Sequence, residues 1–308
     1  MLVKKANKFI KRDRMLFYYY AALFGVGVAS VFANQKYAKS TRNYYEIFVF
    51  ALITGIMGCS VFAVSSGFKL SFTEMTAVYS AFYAVAALIS YFTTIPLYRY
   101  MGIAEAGVCR SSISLVVTAI SGYVLFSEKV TPLSLIRIAL MLGATFAVYY
   151  NTKTDKSLPS GNKMRLIGIV LCIIAAFGGV IATVTSKAFA NDTRVTDTNS
   201  FFFLTNVIIV VFSALVVLIL NISSRKREKS DRIKPWQYGM IFLTTLASNI
   251  SSVLQVLILE TGNVSMYAPL SGALSLMAAQ TVSVLYREKI KPLPLLLAIS
   301  AVILGIFE

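Results

Sequence analysis

One arginine and several amides and hydroxyls stand inside apolar stretches of this sequence, where polar side chains are costly and are often functional. Arg110 lies several residues within such a stretch, and its planar, permanently charged guanidinium suits the carboxylate or phosphate of a ligand. Two alternatives remain open: pairing with Glu105 or another interior acid, and extension of the side chain along apolar surface to water. Arg137, nearer the start of its own stretch, is expected to extend to water.

Uncharged polar side chains form the second candidate group. Asn249 and Ser252 are three positions apart and share a helix face, and Gln280 adds a further amide. These side chains either line a polar cavity or hydrogen-bond one helix to another. Tyr79 and Tyr83, four positions apart, either stack on a ligand or take part in helix packing. The candidate ligand-binding residues are therefore Arg110, Tyr79, Tyr83, Asn249, Ser252 and Gln280.

The residues needed for most enzyme chemistry are missing. The chain has no histidine, and its three cysteines lie far apart in apolar runs, so neither a metal site nor a disulfide framework is indicated. No paired acids occur within an apolar run, and no GxxxxGK(S/T) loop supports ATP binding. We therefore expect no catalytic residue, no metal and no cofactor. An enzyme acting on lipid-linked substrates is the least supported function.

Composition predicts a membrane protein. Of the 308 residues, 57% are hydrophobic and 14% are charged, whereas soluble domains average about 45–50% and about 25%. The net charge of +16 comes from residues clustered between apolar runs, as expected for segments that flank membrane spans. The basic loop 225–234 is one such cluster, so we expect contact with membrane lipid and no nucleic-acid partner.

Apolar runs long enough to cross a bilayer recur along the whole chain. A spanning helix needs about 20 apolar residues, and backbone in lipid must satisfy its own hydrogen bonds, which favours helices. The runs do not alternate as the strands of a membrane barrel do. The predicted fold is all-α integral membrane with ten transmembrane helices, at residues 16–33, 47–66, 75–97, 103–126, 133–150, 166–186, 198–222, 237–259, 264–286 and 293–307.

The second half of the sequence resembles the first. The motif Leu-x-x-Glu-Lys-x-x-Pro-Leu occurs at 125–133 and again, 160 positions later, at 285–293. Each half has five predicted spans, and an odd number inserts the second half upside down, which predicts two inverted five-helix repeats. The expected organisation is a basic N-terminal tail (1–15), a first repeat (16–150), a linker (151–165) and a second repeat (166–308).

The two hairpins that contain this motif also carry a family resemblance. Leu125–Pro132 reads LFSEKVTP and Leu285–Pro292 reads LYREKIKP, and both resemble hairpins of the drug/metabolite transporter superfamily, in its EamA-type ten-helix branch. The resemblance covers nearly the whole chain and implies a secondary transporter with cytoplasmic termini. Glu128 and Glu288 are expected to have structural or gating roles. The first span, 16–33, lacks the acidic residue with which small multidrug relatives couple drug export to protons.

From the repeat, the resemblance and the candidate residues, we expect a secondary transporter, an exporter or exchanger, that moves a small organic solute by alternating access. The alternative is a non-transporting interaction or assembly protein, which would have no polar cavity between its halves. The expected location is the cell membrane, crossed many times, and the expected state is a monomer or homodimer. Basic residues around the spans give conflicting orientations, so cytoplasmic termini rest on the resemblance and on the flanks of the first span.

Overall fold

Each apolar run identified above corresponds to an α-helix of the computed structural model, because a helix satisfies its backbone hydrogen bonds without water. The structure describes residues 2–41, 43–129, 131–151, 162–223, 234–261, 264–287 and 292–306. Within these residues the chain forms ten helices and no strand. The helices are α1 (Leu2–Ser40), α2 (Tyr44–Ser65), α3 (Glu74–Tyr100), α4 (Ile103–Phe126), α5 (Pro132–Asn151), α6 (Asn162–Asn191), α7 (Thr198–Ser223), α8 (Pro235–Thr261), α9 (Val264–Leu285) and α10 (Pro292–Ile306).

Seven helices in the described part of the chain, α1 to α4 and α6 to α8, are long and apolar enough to cross a membrane. Their outward faces carry large apolar side chains; Leu218 and Ile219 of α7, for example, are 58% and 61% exposed. Continuous apolar faces of this kind fit lipid and not water. The chain is therefore a multi-pass helical membrane protein. The apolar parts of α5, α9 and α10 are shorter, so a count of ten spans stays a prediction.

The predicted segments outside the spans are only partly described. The basic tail is continuous with the first span, since α1 begins at Leu2. The predicted linker falls between α5 and α6, and its residues 152–161 lie outside the described residues. The basic loop 224–233 and the second hairpin from Glu288 to residue 291 lie outside them as well.

The first repeated hairpin ends α4 with a left-handed residue. Ser127 has a φ of 52°, a conformation that commonly closes a helix at its C-terminus. The N–H of Glu128 then donates to the carbonyl oxygen of Gly122 at 3.2 Å, and α5 begins at Pro132. After α9, Arg287 takes the same left-handed conformation, with a φ of 57°.

Helices from the first half of the chain pack mainly against helices from the second half. The most extensive contacts join α3 with α6, α2 with α7, α4 with α9 and α1 with α8. In addition, α5 packs against α10, α1 against α9, and α4 against α6. The two halves therefore interlock and share one interior.

Small residues let two of these pairs approach closely. A Cβ added to Gly107 of α4 would lie 2.7 Å from the Cβ of Ala279 in α9. A Cβ added to Gly58 of α2 would overlap the side chain of Asn206 in α7. In membranes, where lipid is as apolar as the side chains, such close backbone approach is a main source of attraction between helices.

Arg137 does not reach water, so that expectation is wrong. Its side chain is fully buried, and its Nη2 donates to the carbonyl oxygen of Leu304 at 2.9 Å. Leu304 lies in the last turn of α10, where carbonyl groups lack a partner within the helix and the helix dipole is negative. An acceptor at this helix end therefore holds the arginine inside the bundle.

The α4–α9 contact predicts the effect of one added methyl group. In Gly107→Ala, the new Cβ has no room beside Ala279, so the two helices must move apart. We expect the free energy of unfolding to fall by about 1–3 kcal/mol, measured as a lower unfolding temperature of the detergent-purified protein.

Gly25→Ala is the matched control for this prediction, since a Cβ at Gly25 meets nothing within 4 Å. The double variant Gly107→Ala/Ala279→Gly should recover most of the lost stability, because it restores the missing space. Equal effects of the two single alanine variants would contradict the close contact.

Candidate functional site

A cavity of about 360 Å³ lies between the two halves of the chain. It is lined by α1, α3 and α4 from the first half and by α6, α7, α8 and α9 from the second. The lining residues of α1 (23–34) and α8 (247–255) occupy the middle of the apolar parts of these helices. The cavity thus lies at mid-depth in the bundle and has the size of a pocket for a small organic molecule.

The wall of this cavity combines polar and apolar side chains, although the helices that form it are largely apolar. Hydroxyl and amide side chains that cannot face lipid turn towards the centre, where they find partners or water. Both halves of the chain contribute such residues. Examples are Ser90 and Thr94 on α3, Ser111 and Ser114 on α4, and Ser251 and Ser252 on α8.

Arg110 lies half-buried on the α4 side and is the one charged residue on the cavity wall among the residues that the structure describes. Its Nη1 donates to Oγ1 of Thr94 on α3 at 3.2 Å. Among the described residues, no carboxylate forms an ion pair with Arg110. The structure therefore does not show the pairing with Glu105 that the sequence analysis gave as an alternative. The cavity therefore carries a positive charge.

Tyr83 and Ser252 connect the two halves at the cavity wall. The O–H of Tyr83 on α3 donates to Oγ of Ser252 on α8 at 2.9 Å. The Tyr83 ring meets the rings of Phe201 and Phe202 edge to face, and Phe202 also lines the cavity. Tyr83 thus closes part of the wall with an aromatic cluster and holds α3 against α8.

Asn249, which lines the cavity, has a buried amide nitrogen without a hydrogen bond to the described residues. The side chain lies on the α8 side of the wall and is only 9% exposed. Its Nδ2 has no hydrogen-bond partner among the described residues, whereas Nδ2 of the nearby lining residue Asn206 donates to the carbonyl oxygen of Phe202 at 2.7 Å. An unsatisfied buried donor costs free energy, so this amide lacks the compensation that the Asn206 amide has.

Tyr79 and Gln280, two of the six predicted residues, lie away from the wall. Tyr79 is one helical turn from Tyr83, and its O–H donates to Oδ2 of Asp192 at 3.0 Å, near the end of α6. Gln280 is buried farther along α9 than the lining residue Ser275. The other four predicted residues, Arg110, Tyr83, Asn249 and Ser252, lie on the wall together, and ligand binding by them stays a prediction.

Sequence reasoning missed several residues of the wall, among them Thr94, which bonds Arg110. Thr94 and Ser90 are four positions apart and lie on the α3 face that also carries Tyr91. Ser111 and Ser271, which are identical at the repeat spacing of 160 positions, also line the cavity. A search for polar residues shared by both halves would have found this pair, whereas Ser90 and Thr94 align with Ile250 and Leu254 at that spacing.

Polar contacts around the α6–α7 loop lie at one end of the bundle, here named the Asp192 end. Asp192 accepts hydrogen bonds from Nε and Nη2 of Arg194, at 2.9 and 2.7 Å, in addition to the bond from Tyr79. The Arg194 guanidinium therefore holds the pKa of the Asp192 carboxyl well below its usual range.

A buried lysine contributes to the same end. Nζ of Lys187 on α6 donates to the carbonyl oxygen of Leu259, near the end of α8, at 2.8 Å. The Glu128 carboxylate of the first hairpin attracts the same ammonium group. These contacts tie α6 to α8 and place the hairpin carboxylate near α6, and a structural or gating role for Glu128 stays a prediction.

Comparisons with known proteins inform the fold and leave the activity open. No family model and no curated protein matches this chain. A solved structure, described only as the crystal structure of a protein, aligns with 92% of this chain and 95% of its own at a TM-score of 0.61 and 15% sequence identity. At that identity the likeness is one of fold alone, and it extends over almost the whole chain.

The lowered pKa of Asp192 predicts how acidity affects the Asp192 end. A carboxyl whose pKa is lower in the folded state adds stability above its unfolded pKa of about 3.9, and this stability is lost as the pH falls towards the folded pKa. We expect Asp192→Asn to lower the unfolding temperature by the same amount from pH 8 to pH 5, and by less at lower pH.

Arg194→Gln should reproduce this profile, because it removes the group that lowers the pKa of Asp192. A difference between Asp192→Asn and the wild type that stayed constant into strong acid would contradict the assignment.

Proposed function

We propose that this protein is a secondary transporter that moves a small organic solute across the membrane by alternating access. One observation carries the proposal: a cavity at mid-depth, lined by both halves of the chain with many hydroxyl and amide side chains and one arginine, in a bundle with apolar outer faces. Carriers of this kind hold their solutes between two halves near the membrane midplane. An interaction or assembly protein, the competing function, has no use for such a cavity.

The proposal includes ten spans arranged as two inverted five-helix repeats, and the helix contacts support it. In the predicted repeat, each helix of the first half corresponds to the helix five places later, so that α1 corresponds to α6 and α3 to α8. The counterpart of the α3–α6 contact is then α8–α1, and the counterpart of the α4–α6 contact is α9–α1. All four contacts are present. Three further contacts join a helix to its own counterpart in the other half: α2–α7, α4–α9 and α5–α10. A bundle built about a pseudo-two-fold axis has this pattern of contacts.

Local features of the two halves agree with the same axis. Ser127 and Arg287, which precede the two Glu-Lys pairs of the repeated motif, are both left-handed. Cavity-lining positions on α3 and α8 also follow the same spacing. They are 87, 90, 91 and 94 on α3, and 248, 251, 252 and 255 on α8.

Two apolar clusters are candidates for the gates. At the Asp192 end, Leu259 and Tyr267 belong to a cluster that joins α1, α8 and α9. Towards the opposite end, Leu97 and Cys172 belong to a cluster that joins α3, α4 and α6. The two sets of helices correspond to one another in the repeat, because α1, α8 and α9 are the counterparts of α6, α3 and α4. Loosening of one cluster while the other tightens would therefore open the cavity to one side and then to the other.

The proposal places the chain in the EamA-type branch of the drug/metabolite transporters. The repeated Glu-Lys hairpins support this placement, and the likeness to a solved structure over 92% of the chain is compatible with it. The protein would then lie in the cell membrane as a monomer or homodimer, with cytoplasmic termini. Two reporters fused to Glu308, one active only in the cytoplasm and one only outside, test the orientation; signal from the outside reporter would contradict it.

Transport itself predicts saturable flux of a solute into liposomes that contain the purified protein. Labelled solute inside the liposomes should exchange with unlabelled solute outside. A carrier can bring one solute molecule in and then carry another out. Screening a metabolite panel by thermal shift selects the solutes to test. The absence of flux for every solute that stabilises the folded protein would contradict the proposed function.

Alternating access predicts that one cavity position is reached from both sides of the membrane. Ser251→Cys, with the three native cysteines replaced by alanine, should react with a membrane-impermeant thiol reagent applied to either side. The reaction should block flux, because the cysteine lies on the cavity wall.

Ser213→Cys on α7 is the matched control, since Ser213 is fully buried away from the cavity. This cysteine should stay unmodified from both sides. Reaction of Ser251→Cys from one side only, with or without solute, would contradict alternating access.

A further inference from the structure

The cavity wall carries one sign of charge. Arg110 contributes a guanidinium, and over the described ranges no Asp, Glu or Lys side chain lines the cavity. A half-buried cation without a counter-ion loses part of its hydration, and the hydrogen bond that Arg110 makes to the described wall goes to the neutral hydroxyl of Thr94. An anion supplied from outside the protein would offset this loss.

Hydrogen-bond donors on the wall favour the same kind of occupant. The Arg110 guanidinium has five N–H groups, of which one donates to Thr94. Nδ2 of Asn249 is buried without a described partner. A carboxylate has only acceptor oxygens, and its two oxygens match the fork of a guanidinium. The serine hydroxyls of the wall can in turn bond to hydroxyl or carbonyl groups elsewhere on the same molecule.

A solute with an ammonium group fits this wall less well. Buried cationic groups are ordinarily paired with carboxylates, and the described part of the wall offers none. The ammonium would also lie in the field of Arg110, and like charges repel strongly where little water screens them. Amines and amino acids are therefore disfavoured relative to simple carboxylates.

We propose that the solute is a small organic monocarboxylate whose carboxylate binds to Arg110. One negative charge on the solute matches the one positive charge on the described wall. Asn249 and the wall hydroxyls bind the polar groups on the remainder of the molecule. This inference rests on the proposed function and names the class of solute that the same cavity takes.

Matched probes test the class of solute without requiring transport. Binding to the detergent-purified protein is measured by calorimetry for three 2-hydroxy acids of increasing size: lactate, 2-hydroxyisocaproate and phenyllactate. The comparison set consists of alanine, leucine and phenylalanine, which carry an ammonium group in place of the 2-hydroxyl group on the same carbon skeletons, and lactamide, which lacks the charge. We expect at least one acid to bind, and to bind at least about 10-fold more tightly than its matched probe.

Variants of Arg110 test the residue. Arg110→Gln should weaken binding of the acid by about 10- to 100-fold, since it removes an ionic hydrogen bond. Arg110→Lys should lose less, because it keeps the charge without the planar fork. Arg287→Gln, which removes an exposed arginine outside the cavity, is the matched control and should bind as the wild type does. The unfolding temperature without ligand verifies that each variant is folded.

Three outcomes would overturn the inference: no binding of any of the acids to the folded wild type, equal or tighter binding of the matched amino acids or amide, or full affinity in Arg110→Gln. Flux assays separate this inference from the proposed function. Binding of an acid that depends on Arg110, without flux, would keep the carboxylate site and refute transport. Flux of neutral or cationic solutes that Arg110→Gln leaves unchanged would keep transport and overturn the carboxylate assignment.

Discussion

The absence of water from the bilayer core is the constraint on which the rest of this structure depends. Apolar side chains can face lipid at little cost, whereas polar side chains and backbone groups must find partners within the protein. On α3, Phe82 is 58% exposed towards the outside of the bundle, while Ser90 lines the cavity. The arrangement is the reverse of a soluble domain, because polar groups collect at the centre and make a pocket there.

Helix positions were largely predictable, because charged residues mark where apolar runs end. For α4 the predicted range 103–126 is the observed range. Where a helix continues beyond its apolar run, the position of its end could not be predicted from the charged residues. Thus α1 extends to Ser40, and α6 runs from Asn162 to Asn191, since a helix can continue into water once its first turns have formed.

The residues of the cavity were less predictable than the helices, because depth along a helix and rotation about it depend on contacts with neighbours. Tyr79 and Tyr83 share a helix face, yet one bonds Asp192 at the end of the bundle and the other bonds Ser252 at the cavity. Arg110 and Arg137 both lie within apolar stretches, but their depths there did not predict which of them is buried. The carbonyl of Leu304 holds Arg137 inside the bundle, whereas Arg110 faces the cavity.

The described part of the cavity wall has no side chain whose charge changes in the physiological pH range. The chain has no histidine, a guanidinium keeps its proton, and the described wall has no aspartate, glutamate or lysine. The ionisation state of a weakly acidic solute then becomes the quantity that responds to pH. If the cavity holds a carboxylate as proposed, a proton gradient would act on it through that solute, and not through protonation of a side chain in the described wall.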